Sequence, residues 1–262
     1  MTLDKKTLQT LGNELYDAWH DARQIAALTE RHPDISIEDA YNVQLQTIKR
    51  RIDDGERIVG KKIGITAKAV MQMLKVDQPD FGHLLSGMTH GESETLDSTR
   101  FCQPRGEGEI AFILNKDLAG PGITGPQVLA ATECVMPAFE IVDSRVTDWK
   151  IRIQDTVADN ASAAAFVLGD NAVSPRRIDL ATCGMVLEKN GEIIGTGAGA
   201  ATLGNPVNAV VWLANKLGEL GIALKAGEVI LSGSLSIMFP ISAGDVLRMS
   251  LNGVGSVSCR FS

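Results

Sequence analysis

The stretch PRGEGEIAFIL, residues 104–114, sets two glutamates at the head of an apolar run. In an extended strand, residues i and i+2 lie on one face. Glu107 and Glu109 then present their carboxylates side by side, next to residues that favour burial. Two like charges in a sheltered place repel, and one takes up a proton unless a cation sits between them. Gly106 and Gly108 flank Glu107 and allow another group close to the backbone. A third carboxylate, Glu140, stands inside a second strand-like run, MPAFEIVDS. An unpaired buried carboxylate is expensive. Convergence of Glu107, Glu109 and Glu140 on one divalent cation would satisfy all three, and an all-oxygen donor set favours Mg²⁺ or Mn²⁺. The alternative is a solvated strand end, since exposed glutamates are common.

A cation stands in VGKKIGIT, residues 59–66. As a strand, this run puts Lys62 on the face of Gly60 and Gly64, leaving room for an anionic ligand beside the ammonium, while Lys61 points the other way. Two surface lysines are the plain alternative. QPDFG (78–82) reads as a turn, with Asp80 either a turn-former or a reactive carboxyl. TVADNAS (156–162) is similar: Asp159 and Asn160 suit a turn or cap, and Ser162 is a small polar neighbour. LSGS (231–234) follows an apolar run, and the backbone of Gly233 and Ser234 could offer N–H groups to a carboxylate. The glycine-rich segment 195–206 lacks the G-x-G-x-x-G pattern between strand and helix, which excludes a dinucleotide site there. Four histidines show no zinc spacing and four cysteines form no C-x-x-C pair. Any metal would be held by oxygen, and the thiols are expected to be reduced in a cytoplasmic protein.

These residues need elements to position them. The first 55 residues read as helical, with Leu8, Leu11, Leu15 and Trp19 at helical spacing. Ser36 is the expected N-cap of a helix with Asp39 at its third position, and Lys49, Arg50 and Arg51 fall in its last turn. From Arg57 the texture becomes β-branched and glycine-punctuated, with a hairpin expected at Asn190–Gly191. Two helices interrupt, one after Thr124 and one from Pro206 to just before Gly221. Few helices among many strands, without a βαβ rhythm, indicate a β-rich α+β fold. The expected organisation is a helical subdomain at 1–56 and a β-rich catalytic domain at 57–262. The net charge of −7 argues against nucleic acid or an anionic membrane as partner. No apolar run reaches the roughly 18 residues of a membrane span, and no signal-peptide h-region is expected at the N-terminus.

Taken in order, GKKIGIT, VDQPDFG, QPRGEGEIAFIL, ATECVMPAFEIVDSR, DWKIRIQDTVADNAS and LKAGEVILSGS resemble the 2-hydroxypenta-2,4-dienoate hydratase family of the fumarylacetoacetate hydrolase superfamily. The likeness runs over nearly the whole chain. It implies a mixed β-roll with an N-terminal helical portion, and a Mg²⁺ or Mn²⁺ ion on Glu107, Glu109 and Glu140. It places Lys62, Asp80 and Ser162 around the substrate as catalytic residues, with Gly233 and Ser234 as contacts for its carboxylate. The implied reaction is hydration of 2-hydroxypenta-2,4-dienoate to 4-hydroxy-2-oxopentanoate, in meta-cleavage degradation of aromatic compounds. Many relatives have a larger residue at Gly106 or Gly108. The related 4-oxalocrotonate decarboxylases share the acidic pattern but tend to read YGF for DFG and HPK for QPR, so Asp80 favours hydration. The hydrolases of the superfamily use a His–Glu pair, and this chain has no H-x-x-E. The resemblance also implies a homo-oligomer and a complex with the decarboxylase. The alternatives are decarboxylation of a 2-oxo acid and a non-catalytic role as that enzyme's assembly partner.

Overall fold

The computed structural model describes residues 3–92 and 94–262. Residues 1 and 2 of the expected helical portion, and Ser93, lie outside the described residues. The chain opens with helices α1 (Lys5–His20), α2 (Leu28–Arg31) and α3 (Ile37–Asp53). There follow β1 (Ile58–Gly64), α4 (Lys68–Leu74), β2 (Asp80–Leu85), β3 (Thr89–His90) and β4 (Thr95–Leu96). The middle of the chain forms β5 (Arg105–Leu114), α5 (Gly125–Ala131), β6 (Thr132–Val142), α6 (Ile153–Ala158) and β7 (Ala163–Leu168). The last third forms β8 (Gly184–Lys189), β9 (Glu192–Ala198), α7 (Pro206–Glu219), β10 (Val229–Leu231), β11 (Phe239–Pro240), β12 (Val246–Leu251) and β13 (Gly255–Phe261).

Local chemistry accounts for the longer helices. Asp4 caps α1 by accepting from the Thr7 N–H, and Leu11 and Leu15 are buried along one stripe. Ser36 and Asp39 make the reciprocal capping box of α3. Asn205 caps α7, Pro206 opens it, and Gly221 just beyond it takes a positive φ of 73°. Two short helices went unanticipated, α4 and α6, the latter because a tertiary partner holds it. In α6, Asp155 accepts from the Thr29 N–H at 2.9 Å and its hydroxyl at 2.7 Å. The neighbouring α4 has no side-chain cap. The Asn190–Gly191 turn has φ of 55° and 83°, the conformation its hairpin requires.

The strands form two sheets. The larger, eight-stranded, runs β2-β1-β10-β5-β6-β7-β3, with β11 paired to β5, and the smaller, five-stranded, runs β4-β13-β12-β8-β9. The main core combines residues of both sheets, among them Phe112, Phe139, Leu187 and Met249, with Leu213 and Leu217 of α7. On the other face of the large sheet, Ile48 of α3 packs with Ala111, Ala138, Phe166 and Leu231. A third cluster joins α1 and α3 to Val157 and Ala158 of α6. Helix α3 ends at Asp53 and β1 begins at Ile58, yet α3 shares cores with both sheet and α6. Among the described residues, no helix is long and apolar enough to cross a membrane.

Candidate active site

Register brings the three glutamates together. In the antiparallel pair β5–β6, Glu107 lies directly opposite Glu140, and Glu109 is opposite Ala138. Glu107, Glu109 and Glu140 therefore share one face, and each offers an oxygen within 4.8 Å of the others. That face is the one carrying Ala111 and Ala138 toward α3. Gly106 and Gly108 point to the opposite face. A methyl on Gly106 would meet the Phe239 ring at 2.5 Å, and one on Gly108 would meet the Met249 and Met185 sulfurs at 2.6 and 2.7 Å. The close approach these glycines permit is made by the core and not by a ligand.

Lys61 and Lys62 are both buried, so neither is a surface lysine. Lys61 pairs with Glu228 at 2.7 Å. Lys62 lies 3.2 Å from Glu140 Oε1 and donates to the Ala161 carbonyl at 3.0 Å. The space expected beside Lys62 is occupied: a methyl on Gly64 would meet Asp80 Oδ1 at 2.2 Å. Asp80 is not in a turn but opens β2, paired across from Gly64. Glycine at 64 is thus what admits the Asp80 carboxyl to the site.

The segment after α6 is strained. Asn160, Ala161 and Ser162 all take left-handed φ, at 54°, 49° and 56°. Two clamps hold it. The Arg145 N–H donates to Asp159 Oδ2 at 2.9 Å and its Nη2 donates to the Asp159 carbonyl at 2.7 Å. The Asn160 side chain accepts from the His83 N–H at 2.7 Å and donates to the His83 carbonyl at 2.9 Å. The turn aims the Ala161 carbonyl at Lys62 and leaves the buried Ser162 hydroxyl with no partner among the described residues.

Of the expected carboxylate contacts, Ser234 lines the cavity, and the Gly233 N–H and the Ser234 hydroxyl have partners within the protein. The Gly233 N–H does meet a carboxylate, but that of Glu109 Oε2, at 2.7 Å. The Ser234 hydroxyl donates to the Ser236 carbonyl at 2.8 Å. Both groups are committed within the protein and orient the acidic cluster and its loop.

Electrostatics follow from burial. Burial, together with the charge of Glu140, pushes the Glu107 carboxyl up to about 7, with Lys62 opposing. Glu109 and Glu140 are likewise raised by burial. Burial raises Asp80 as well, against the pull of Lys62. For Lys62, burial alone would favour loss of its proton, but Glu140, Asp80, Glu107 and Glu109 outweigh that and hold its pKa above the ordinary lysine value. Among the described residues, Glu109 Oε1 and Glu140 Oε2 are buried with no partner, and Glu140 Oε1 has only the Lys62 ammonium at 3.2 Å. Orphaned anionic oxygens converging within bonding reach of one point fit a hard divalent cation.

Lys62, Asp80, Glu107, Ser162 and Ser234 line one cavity of about 330 Å³. Its outer wall is apolar, from Val70, Met73, Ile151 and Ile237. Among the lining residues that escaped the sequence reading are Arg105 and Trp149. Arg105 lies two positions before Glu107 and shares its face, so the same alternation that paired the glutamates could have found it. Trp149 carried no such signal, because its place depends on a loop.

Residues 64–262 match the fumarylacetoacetate (FAA) hydrolase C-terminal family. The chain is 60% identical over 222 residues, 84% of its length, to the whole of a 2-hydroxypent-2,4-dienoate hydratase from Pseudomonas putida. It is 52% identical to a 2-hydroxyhexa-2,4-dienoate hydratase from Comamonas testosteroni, covering 98% of each chain. Among solved structures it resembles 4-oxalocrotonate decarboxylase from Pseudomonas putida G7, complexed with magnesium and adipate. That likeness has a TM-score of 0.97 at 36% identity and covers 100% of this chain and 99% of that one.

Proposed function

We propose that this chain, which belongs to the fumarylacetoacetate hydrolase family, is a hydro-lyase that converts 2-hydroxypenta-2,4-dienoate to 4-hydroxy-2-oxopentanoate. Relatives at 52% and 60% identity named as 2-hydroxydienoate hydratases support hydration. The observation that carries the reading is Asp80, a buried carboxyl beside Lys62 in the cavity of the acidic cluster. Hydration of a dienol requires a group that both gives and takes a proton near neutrality, and a carboxyl raised by burial can do so.

Glu107, Glu109 and Glu140 would hold Mg²⁺ or Mn²⁺. When bound, such an ion supplies Lewis-acid charge to a chelating 2-oxo acid. Lys62 adds fixed positive charge where the C2 oxygen becomes anionic. Asp80 moves protons: the C2 hydroxyl proton is lost, C5 gains one, and the resulting enone has an electrophilic C4. Water adds its oxygen at C4, and C3 takes the remaining proton. Ser162, whose hydroxyl has no partner among the described residues, orients water or substrate. The apolar outer wall keeps bulk water from the conjugated intermediate.

The test mixes metal-stripped protein with freshly generated 2-hydroxypenta-2,4-dienoate and follows loss of its ultraviolet absorbance with and without Mg²⁺ or Mn²⁺. Metal-dependent decay to 4-hydroxy-2-oxopentanoate is expected, and decay at the buffer rate would overturn the reading. A second reading, decarboxylation of a 2-oxo acid, is favoured by the TM-score of 0.97 to a decarboxylase. Carbon dioxide release from 4-oxalocrotonate would establish it. Self-association and pairing with such a decarboxylase, within meta-cleavage degradation in the cytoplasm, complete the proposal. Gel filtration of the chain alone and mixed with the decarboxylase tests both contacts.

A further inference from the structure

We propose that Arg105 binds the C1 carboxylate of the substrate, and that Trp149 holds its guanidinium ready to do so. The inference rests on the reading of this cavity as a 2-oxo acid site. Only two cations line the cavity among the described residues, Lys62 and Arg105. Lys62 is fixed between Glu140 and the Ala161 carbonyl, beside the place of the C2 oxygen, and the Gly233 N–H is engaged by Glu109. Arg105 makes no ion pair or side-chain hydrogen bond among the described residues. It opens β5 on the face of Glu107, about 7 Å farther along the strand. Its Cζ lies 4.6 Å from the centroid of the Trp149 ring. That ring is itself tied down, with Nε1–H donating to the Gln103 carbonyl at 3.2 Å. A guanidinium stacked by its face keeps its edge donors free, and that edge matches a carboxylate with two parallel hydrogen bonds. The arrangement selects acids over neutral carbonyl compounds, and the stack lowers the ordering cost of the arginine.

The experiment titrates Mg²⁺-loaded wild type, Arg105→Gln, Arg105→Lys and Trp149→Leu with 2-oxopentanoate, a saturated acid that cannot be hydrated, by calorimetry. Mg²⁺ affinity is measured on the same samples. Arg105→Gln should weaken 2-oxopentanoate about tenfold or more, with Mg²⁺ affinity unchanged. Arg105→Lys and Trp149→Leu should fall between. For the dienoate, KM should rise with kcat little altered, the mark of lost ground-state binding. Arg105→Gln that binds Mg²⁺ and 2-oxopentanoate as wild type does would overturn the proposal, as would wild type that fails to bind 2-oxopentanoate. Loss of Mg²⁺ together with 2-oxopentanoate in both arginine variants would also overturn it, by showing a structural role. Wild type that binds 2-oxopentanoate through Arg105 yet never consumes the dienoate would uphold the arginine and sink the hydratase reading instead.

Discussion

At the scale of the residue, carboxyl groups in one cavity divide into two tasks. Glu140 belongs to the cluster of three converging oxygens, and Asp80 does not. Glu140→Gln should therefore weaken Mg²⁺ at least about tenfold, since affinity follows the charge count of the donors. Unchanged affinity by calorimetry would remove it from the ligand set. Asp80→Asn should lower kcat by about 10²–10⁴ and leave Mg²⁺ affinity nearly intact, and equal loss of both would contradict its role. His83 makes a prediction about pH. Gln44 donates both amide hydrogens, to the Val157 and Phe81 carbonyls, so its Oε1 accepts from a neutral His83 at Nδ1, 3.0 Å away. Burial, and then the charge of Lys61, pushes His83 down to about 3. The unfolded chain takes up that proton at about 6.5. Stability is thus unaffected above pH 7 and falls as pH drops below 6.5, by about 1.4 kcal/mol per unit. His83→Gln escapes this term. Urea unfolding at pH 7.5 and 5.5 should shift the gap between the two proteins by about 1.4 kcal/mol in favour of the variant; a constant gap would show that His83 titrates in the fold as it does in the unfolded chain.

At the scale of the element, the left-handed turn 160–162 depends on the Asn160 side chain. Asn160→Ala would strand the buried His83 N–H and carbonyl, at a cost of about 1–3 kcal/mol. It should also reduce kcat, because the turn carries the Ala161 carbonyl and the Ser162 hydroxyl. Chemical denaturation with steady-state kinetics checks both, and a variant as stable and active as wild type would show that the turn holds itself. This turn marks the limit of what a sequence discloses. Asp159-Asn160 reads as a turn, but the clamp on it comes from β2, 77 residues away in the chain. Glu107 and Glu109 were legible because strand alternation is local, and Arg105 was equally legible but overlooked. Glu140 opposite Glu107 was not legible, since register is decided between strands. The helices with caps and an apolar stripe could be read. Helix α6 could not, because Asp155 finds its partner at Thr29 only in the fold. Asp80 was read as a turn residue because Pro79 and Gly82 surround it, whereas pairing with β1 makes it a strand opener.

At the scale of the whole molecule, the outer side of the small sheet mixes exposed apolar side chains with Glu188, Arg248 and Arg260. Val186, Ile193 and Val246 fall on one face by register, opposite the buried Met185, Leu187, Leu247 and Met249. Ile193 is 67% exposed and Val246 49%, side chains that a contact between copies would cover. The double variant Ile193→Lys, Val246→Lys should lower the sedimentation coefficient if copies associate through this face, and an unaltered coefficient would place any contact elsewhere. The large sheet has a different consequence, one of timing. Strands β1 and β5 never touch; β10, from the last third of the chain, lies between them and pairs parallel with one and antiparallel with the other. On the ribosome, the hairpin bearing Lys62 and Asp80 and the hairpin bearing the three glutamates emerge as separate pieces with bare edges. At about 5–20 residues per second, the segment that joins them follows several seconds later. A prematurely ended product lacking residues beyond 226 would hold Lys62, Asp80 and the three glutamates but leave β1 and β5 unpaired along the edges that β10 covers, the two hairpins linked through β3 on β7 and the His83–Asn160 clamp. The two uncovered strand edges of such incomplete chains are what quality control would meet first.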